Sequence, residues 1–169
     1  MINPTPDSQP LSGKVRLRKV QKADLPTFFI QQMDPEAVYM AAFTAKDPSD
    51  WAAFQAHWAK IMADKGITIR TILLDGKVAG NILSHAWFGD LEVSYWLGKD
   101  HWDQGVATCA LQAFLKIVKT RPLYGRVAKD NFGSKRVLEK NGFKIVGEGL
   151  GFANGRGTEV EEWVLKLDS

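Results

Sequence analysis

The chain has 169 residues, 45% of them hydrophobic and 24% charged, with a formal net charge of +3. That length suits one compact domain whose core needs neither disulfide nor metal, and the single cysteine, Cys109, excludes an intramolecular disulfide and any multi-cysteine metal site. The basic excess is small and dispersed, so it favours an anionic small ligand without pointing to nucleic acid, and no apolar run reaches the roughly 18 residues of a membrane span.

Met1 to Gly13 carry three prolines and no basic residue. They read as a disordered arm rather than a signal peptide, ahead of one domain over residues 14–169. Lys14 to Val20 alternates basic and apolar residues, the period of a strand with one wet face. Asp24 is placed as the N-cap of a helix with Pro26 in its first turn and Leu25, Phe28, Phe29 and Gln32 along it. Asp34-Pro35 ends that helix, and a short helical or irregular piece spans Glu36 to Phe43. Asp47-Pro48-Ser49-Asp50 is a loop and cap signal. From Trp51 to Asp64, Trp51, Phe54, Trp58, Ile61 and Met62 share one helical face, and Lys65-Gly66 closes it.

Ile67 to Leu74 and Lys77 to Ala86 are strands joined by Asp75-Gly76, a tight hairpin signal. Leu91 to Leu97 is a further strand, Gly98 to Gly105 a loop, and Val106 to Lys119 a long helix broken by Arg121-Pro122. Leu123 to Ala128 is a strand, and Ser134 to Lys140 a helix capped by Ser134 and closed by Asn141-Gly142. The last two strands are Phe143 to Gly149 and Glu159 to Leu167. The segment between them, Gly149 to Thr158, holds four glycines and reads as a mobile hairpin loop. This order predicts an α/β (α+β) fold: a mixed, mostly antiparallel sheet of about seven strands with helices on both faces.

Chemistry is concentrated between Leu91 and Leu111, where a strand runs through a small-residue turn into a helix. Helix N-termini collect unpaired N–H groups and positive potential, and Gly105 and Ala107 let an anion reach the main chain. Thr108 adds a hydroxyl. The stretch is a phosphate cradle, yet it has neither the P-loop nor the dinucleotide pattern.

This stretch resembles the acetyl-CoA motif of the GNAT superfamily of N-acetyltransferases. The resemblance is closest to the branch that acetylates the N-terminal alanine of ribosomal proteins. It is carried by Glu92-Val93-Ser94-Tyr95-Trp96 and by Trp102-Asp103-Gln104-Gly105-Val106-Ala107-Thr108. The segment from Asn131 through Ser134 to Gly142-Phe143 follows at the family's spacing. Ser94 stands where the branch has a common glycine, and Cys109 where it has a common acidic residue.

The resemblance implies acetyl-CoA as cosubstrate, no metal, and direct attack of an amine on the thioester. It implies that Gln104, Gly105, Val106, Ala107 and Thr108 hold the pyrophosphate. Tyr95, Trp96 and Leu97 would pair with pantetheine, and Asn131 would bond pantetheine or phosphate. Glu92 is then the expected base and Ser134 the expected acid. Strand alternation puts Glu92, Ser94 and Trp96 on one face and Val93, Tyr95 and Leu97 on the other.

The default acceptor is a peptide N-terminus, with residues 37–51 and the Gly149–Thr158 loop around it. A polyamine or aminoglycoside is the enzymatic alternative, and a non-catalytic acyl-CoA-binding module the alternative of another class. His57, His85 and His101 have no metal-ligand spacing and read as structural or surface residues. The remaining expectations are a cytoplasmic setting, no nucleic-acid or membrane partner, and a monomer or homodimer.

Overall fold

Alternating apolar residues place seven strands in one sheet, and the computed structural model of the chain describes residues 11–169 of it. The expected arm lies outside the described residues up to Pro10. Leu11–Lys14 instead form a turn of helix, α1, and Leu11 packs against the main core. The other helices are α2 (Leu25–Gln32), α3 (Pro35–Ala41), α4 (Trp51–Ala63), α5 (Val106–Leu115) and α6 (Phe132–Lys140). The strands are β1 (Val15–Arg18), β2 (Thr68–Leu74), β3 (Lys77–His85), β4 (Glu92–Leu97), β5 (Leu123–Ala128), β6 (Lys144–Ala153) and β7 (Thr158–Leu167). The sheet order is β1-β2-β3-β4-β5-β7-β6, antiparallel throughout except for the parallel β4–β5 neighbours. Among the described residues no helix is long and apolar enough to cross a membrane.

Residue parity in the strands sorts the apolar side chains into two layers. Ile72, Ile82, Val93, Leu123, Val127 and Leu165 pack beneath α5 and α6 with Val106, Leu111, Phe114 and Leu138. On the other face Ile69 and Val78 meet Phe28 of α2 and Phe54 and Trp58 of α4. The hairpin at Asp75-Gly76 forms as the sequence predicts, with φ of 51° and 80° at its two turn residues. Asp50 caps α4, its carboxylate accepting the Ala53 N–H at 2.9 Å.

Four local expectations differ from the structure. α5 ends at Leu115 rather than Lys119. The β-branched Ile117 and Val118 leave the helix in a turn, and Pro122 demands extended chain just ahead of it. Ser134 is not the cap of α6: Asn131 is, its side-chain oxygen accepting the Ser134 N–H at 3.2 Å. The expected mobile loop is mostly strand, because β6 continues to Ala153 through main-chain pairing with β7, which glycine permits. Its turn is fastened to α3 and the residues that follow: Gly155 N–H donates to the Ala42 carbonyl at 2.8 Å, and Asn154 Nδ2 to the Thr44 carbonyl at 2.8 Å.

The fourth difference is Asp24, which stands at the N-cap of α2 but whose side chain makes no capping bond to that helix. It is 3% exposed and accepts two bonds from Arg18 at 2.7 and 2.8 Å, one from the Thr71 hydroxyl at 2.7 Å and one from the Gln21 N–H at 2.9 Å. Burial alone would raise the carboxyl's pKa, but Arg18 and these donors outweigh it and hold the group at about 2. A group depressed in the folded state stabilises the fold above its unfolded value near 3.9 and loses that contribution as pH falls towards about 2. Asp24→Ala, which strands the Arg18 and Thr71 donors, is expected to cost about 3 kcal/mol at pH 7 by urea unfolding, with the deficit shrinking between about pH 4 and 2.

Candidate active site

β4 and β5 share one register pair, Glu92 with Tyr124, closed by the Tyr124 N–H donating to the Leu91 carbonyl at 2.9 Å. Beyond it the strands part, and residues 93–97 have no strand neighbour on that side among the described residues. A cleft of about 580 Å³ lies at this parting. Its walls are Tyr95–Leu97, the Gly105 turn with the start of α5, Ala37 and Met40 of α3, and α6 with the residue that caps it.

Asp103 and Gly105 both have positive φ, 58° and 80°, and together they swing the chain into α5. The Cys109 N–H makes the first helical bond, to the Gly105 carbonyl at 3.1 Å. The N–H groups of Val106, Ala107 and Thr108 therefore precede the helical ladder and stand at the cleft wall. Arg136 and Lys140 of α6 line the same cleft, adding two cations to the helix dipole. The Trp102 indole N–H donates to the Leu97 carbonyl at 2.9 Å and so clamps the loop to the end of β4. The Gln104 side chain does not join the cradle: it donates to the Asp100 carbonyl at 2.9 Å on the exposed side of the loop.

Asn131 lines the cleft, but its amide is partly used by the scaffold, accepting from Ser134 and donating to the Met40 carbonyl at 3.1 Å. Ser134 sits in the first turn of α6, its hydroxyl 2.7 Å from the Tyr95 hydroxyl, which is also 3.2 Å from the Ser134 carbonyl. Burial pushes the Tyr95 phenol up to about 12, so it holds its proton at every physiological pH.

Glu92, the expected base, is placed elsewhere. It is 4% exposed, does not line the cleft, and is bonded to Nε of Arg126. Arg126 also donates to Glu162 at 3.1 Å. As alternation predicts, Ser94 shares that face, and Trp96 reaches α2 by donating its indole N–H to the Gln31 carbonyl at 3.2 Å. His85 is 2% exposed, with Nε2 3.0 Å from Ser94 Oγ, and its ring stacks on Trp87 at 3.8 Å. Of the residues singled out from the sequence, those of the Gly105 turn, Ser134 and Tyr95 line one cleft, together with Arg136 and Lys140 of α6, which the sequence motifs did not single out. His85, read from the sequence as structural or surface, is buried outside that lining. The period-2 register of β3 against β4 is the one signal that brings His85 to Glu92.

An open seven-stranded sheet parted at its one parallel pair, with an anion-ready turn at the parting, defines an acetyltransferase fold of the GNAT class. The GNAT acetyltransferase domain family matches residues 14–144, and the chain belongs to that family. No curated protein sequence matches the chain.

Among solved structures, RimJ of Mycobacterium smegmatis in complex with CoA-disulfide is similar at 18% identity. The match covers 94% of this chain and 84% of that one with a TM-score of 0.75. The microcin C7 self-immunity acetyltransferase MccE in complex with acetyl-CoA and AMP is 14% identical over 98% of each chain, TM-score 0.76. The Vibrio cholerae spermidine N-acetyltransferase in complex with CoA and spermine is 16% identical, covering 91% of this chain and 96% of that one, TM-score 0.73.

The left-handed turn at Gly105 carries a stability prediction. A β-carbon there would occupy a φ of 80° and fall 3.2 Å from Leu11. Gly105→Ala is expected to cost about 1–2 kcal/mol in urea unfolding with an unchanged denaturant slope.

Proposed function

We propose that the chain transfers the acetyl group of acetyl-CoA to an amine, with a peptide N-terminus as the default acceptor. The observation that carries this reading is the convergence, in one cleft, of the Gly105 turn, the unpaired edge of β4 and the Tyr95–Ser134 hydroxyl pair. CoA is a chain of phosphates followed by pantetheine amides and a thiol. The cleft offers N–H groups, Arg136 and Lys140 for phosphate, and a bare strand edge for amides.

Acetyl-CoA, when bound, supplies an acetyl thioester. A main-chain N–H of the open β4 edge would stabilise the oxygen anion that develops at the carbonyl, an effect of about 3–4 kcal/mol in enzymes of this logic. Attack by the amine is direct: Cys109, the chain's one thiol, does not line the cleft. Ser134 gives a proton to the departing sulfur. When Tyr95 donates to Ser134 Oγ rather than to the Ser134 carbonyl, the serine proton is free to turn toward the cleft. On the other face of the sheet Glu92, Arg126 and Glu162 sum to one net negative charge, which attracts the ammonium form of an acceptor.

The test is thiol release from acetyl-CoA with N-terminally free peptides, spermidine and an aminoglycoside. Wild type is expected to turn over at least one of them. Ser134→Ala should lower kcat by about 100-fold with CoA affinity unchanged. Gly105→Glu, which puts a carboxylate in the anion cradle, should raise the CoA Kd at least about tenfold by calorimetry. Tight CoA binding without turnover on any amine would overturn the transferase reading in favour of a binding module.

A further inference from the structure

On the face of β4 opposite the cleft, His85 and Glu92 stand opposite each other in register, and Ser94 follows Glu92 on the same side. Glu92 is already bonded to Arg126 Nε, so taking a proton would break that buried ion pair and leave Arg126 with Glu162 as its partner. His85 is better placed. Its Nε2 is 3.0 Å from Ser94 Oγ, and its Nδ1 has no hydrogen-bond partner among the described residues although the residue is 2% exposed. A buried imidazole with half its hydrogen-bonding capacity unused is costly; Gln31 Oε1, Thr44 Oγ1 and Arg121 Nε share that state, but His85 is also joined to a hydroxyl on the open stretch of β4. Ser94 itself is only partly buried and lies on the stretch of β4 that β5 has left. Neither His85 nor Ser94 lines the cleft itself; the imidazole is linked through that one hydroxyl to the unpaired stretch of β4, next to Tyr95 of the cleft wall.

We propose that Ser94 and His85 form the proton-accepting pair for the acceptor amine, an inference that rests on the transferase reading. As the amine nitrogen bonds to the acetyl carbon, its proton passes to Ser94 Oγ and the serine proton passes to His85 Nε2. The carbon–sulfur bond then breaks, and the sulfur takes a proton from Ser134, which regains one from water. The imidazolium returns its proton to water through Ser94. This transfer requires the ring proton on Nδ1, so that Nε2 accepts from Ser94 Oγ.

The groups facing the ring decide its charge. Glu92 on β4 favours the imidazolium, while Arg126 on β5 and Glu162 on β7 fix that carboxylate. His57 of α4 stands behind Trp87 with Lys60 beside it. Burial pushes the imidazole of His85 below its ordinary value, and Glu92 opposes that shift. The ring is thus neutral and able to accept a proton at neutral pH.

The experiment is kcat/KM against pH, between about pH 5 and 9, for wild type, Ser94→Ala and His85→Gln on one accepted amine, with CoA affinity measured in parallel. Wild type should show two limbs, one from the amine's own protonation and one below the ordinary imidazole value of about 6.5. Both variants should lose about 100-fold in kcat, lose the lower limb and keep the amine limb and the CoA Kd. Ser94→Ala decides the matter if His85→Gln does not fold, because the serine is small and partly exposed. A Ser94→Ala enzyme with the wild-type rate, or with a lowered rate on an unshifted pH profile, would overturn the pair and leave the transferase standing. A wild type that binds CoA and acetylates nothing would remove the transferase itself.

Discussion

The parting of β4 from β5 is the constraint on which the rest of the site depends. Each strand is fully committed on its outer side: β4 pairs with β3 from Glu92 to Leu97, and β5 with β7 from Leu123 to Ala128. Gly80 draws β4 toward β3, since a β-carbon there would lie 2.0 Å from the Trp96 carbonyl oxygen. Gly125 lets α6 settle onto β5, where a β-carbon would be 2.8 Å from Leu138. Two glycines thus anchor the two strands to different neighbours, and one shared register pair remains between them. A sheet interior that would bury its main-chain groups instead presents them to a cleft. Unpaired strand edges invite another chain to pair with them, and in the proposed function this edge would pair with the amides of pantetheine.

The two faces of the parted sheet have opposite electrical character. On the α5 and α6 face, helix N–H groups, Arg136 and Lys140 make an environment for phosphate. On the α2 face, Glu92 and Glu162 outweigh Arg126, and His85 and Ser94 add groups that can exchange protons. Under the proposed function, an anionic donor and a cationic acceptor would be drawn to different sides of one gap. Glu92 is held there in a buried ion pair with Arg126, which offsets part of the cost of taking its carboxylate out of water.

Much of this was legible in the sequence, because the decisive signals are local. The turn at Gly105 needs positive φ and small neighbours, the Asp75-Gly76 hairpin needs its two residues, and alternation alone assigns Val93 and Leu97 to one face and Glu92 and Ser94 to the other. What the sequence hid was non-local or compensated. Asp24 has the chemistry of a helix cap and the position for one, but Arg18 and Thr71 capture its carboxylate from across the sheet. The glycines of β6 suggest a loop, yet nine register pairs with β7 hold it as strand. The ion pair of Glu92 with Arg126 joins residues 34 apart in the chain, and no spacing rule links them.

The fastening of the β6–β7 turn bears on how ready the cleft is for a ligand. Gly155 approaches α3 so closely that a β-carbon would lie 2.3 Å from the Val38 carbonyl oxygen. Arg156 donates to the Tyr39 carbonyl at 2.6 Å, pairs with Asp130 at 2.7 Å and lies 4.0 Å over the Tyr39 ring. Asn131 then ties the start of α6 to Met40. α3, which forms one wall of the cleft, is therefore held by the far hairpin of the sheet and by the helix that carries Ser134. Walls fixed before a ligand arrives lose little conformational entropy when it binds, so in the proposed function attraction to the CoA phosphates would not be offset by ordering the protein. The same framework carries Ser134, whose hydroxyl lies 2.7 Å from that of Tyr95 on the open stretch of β4.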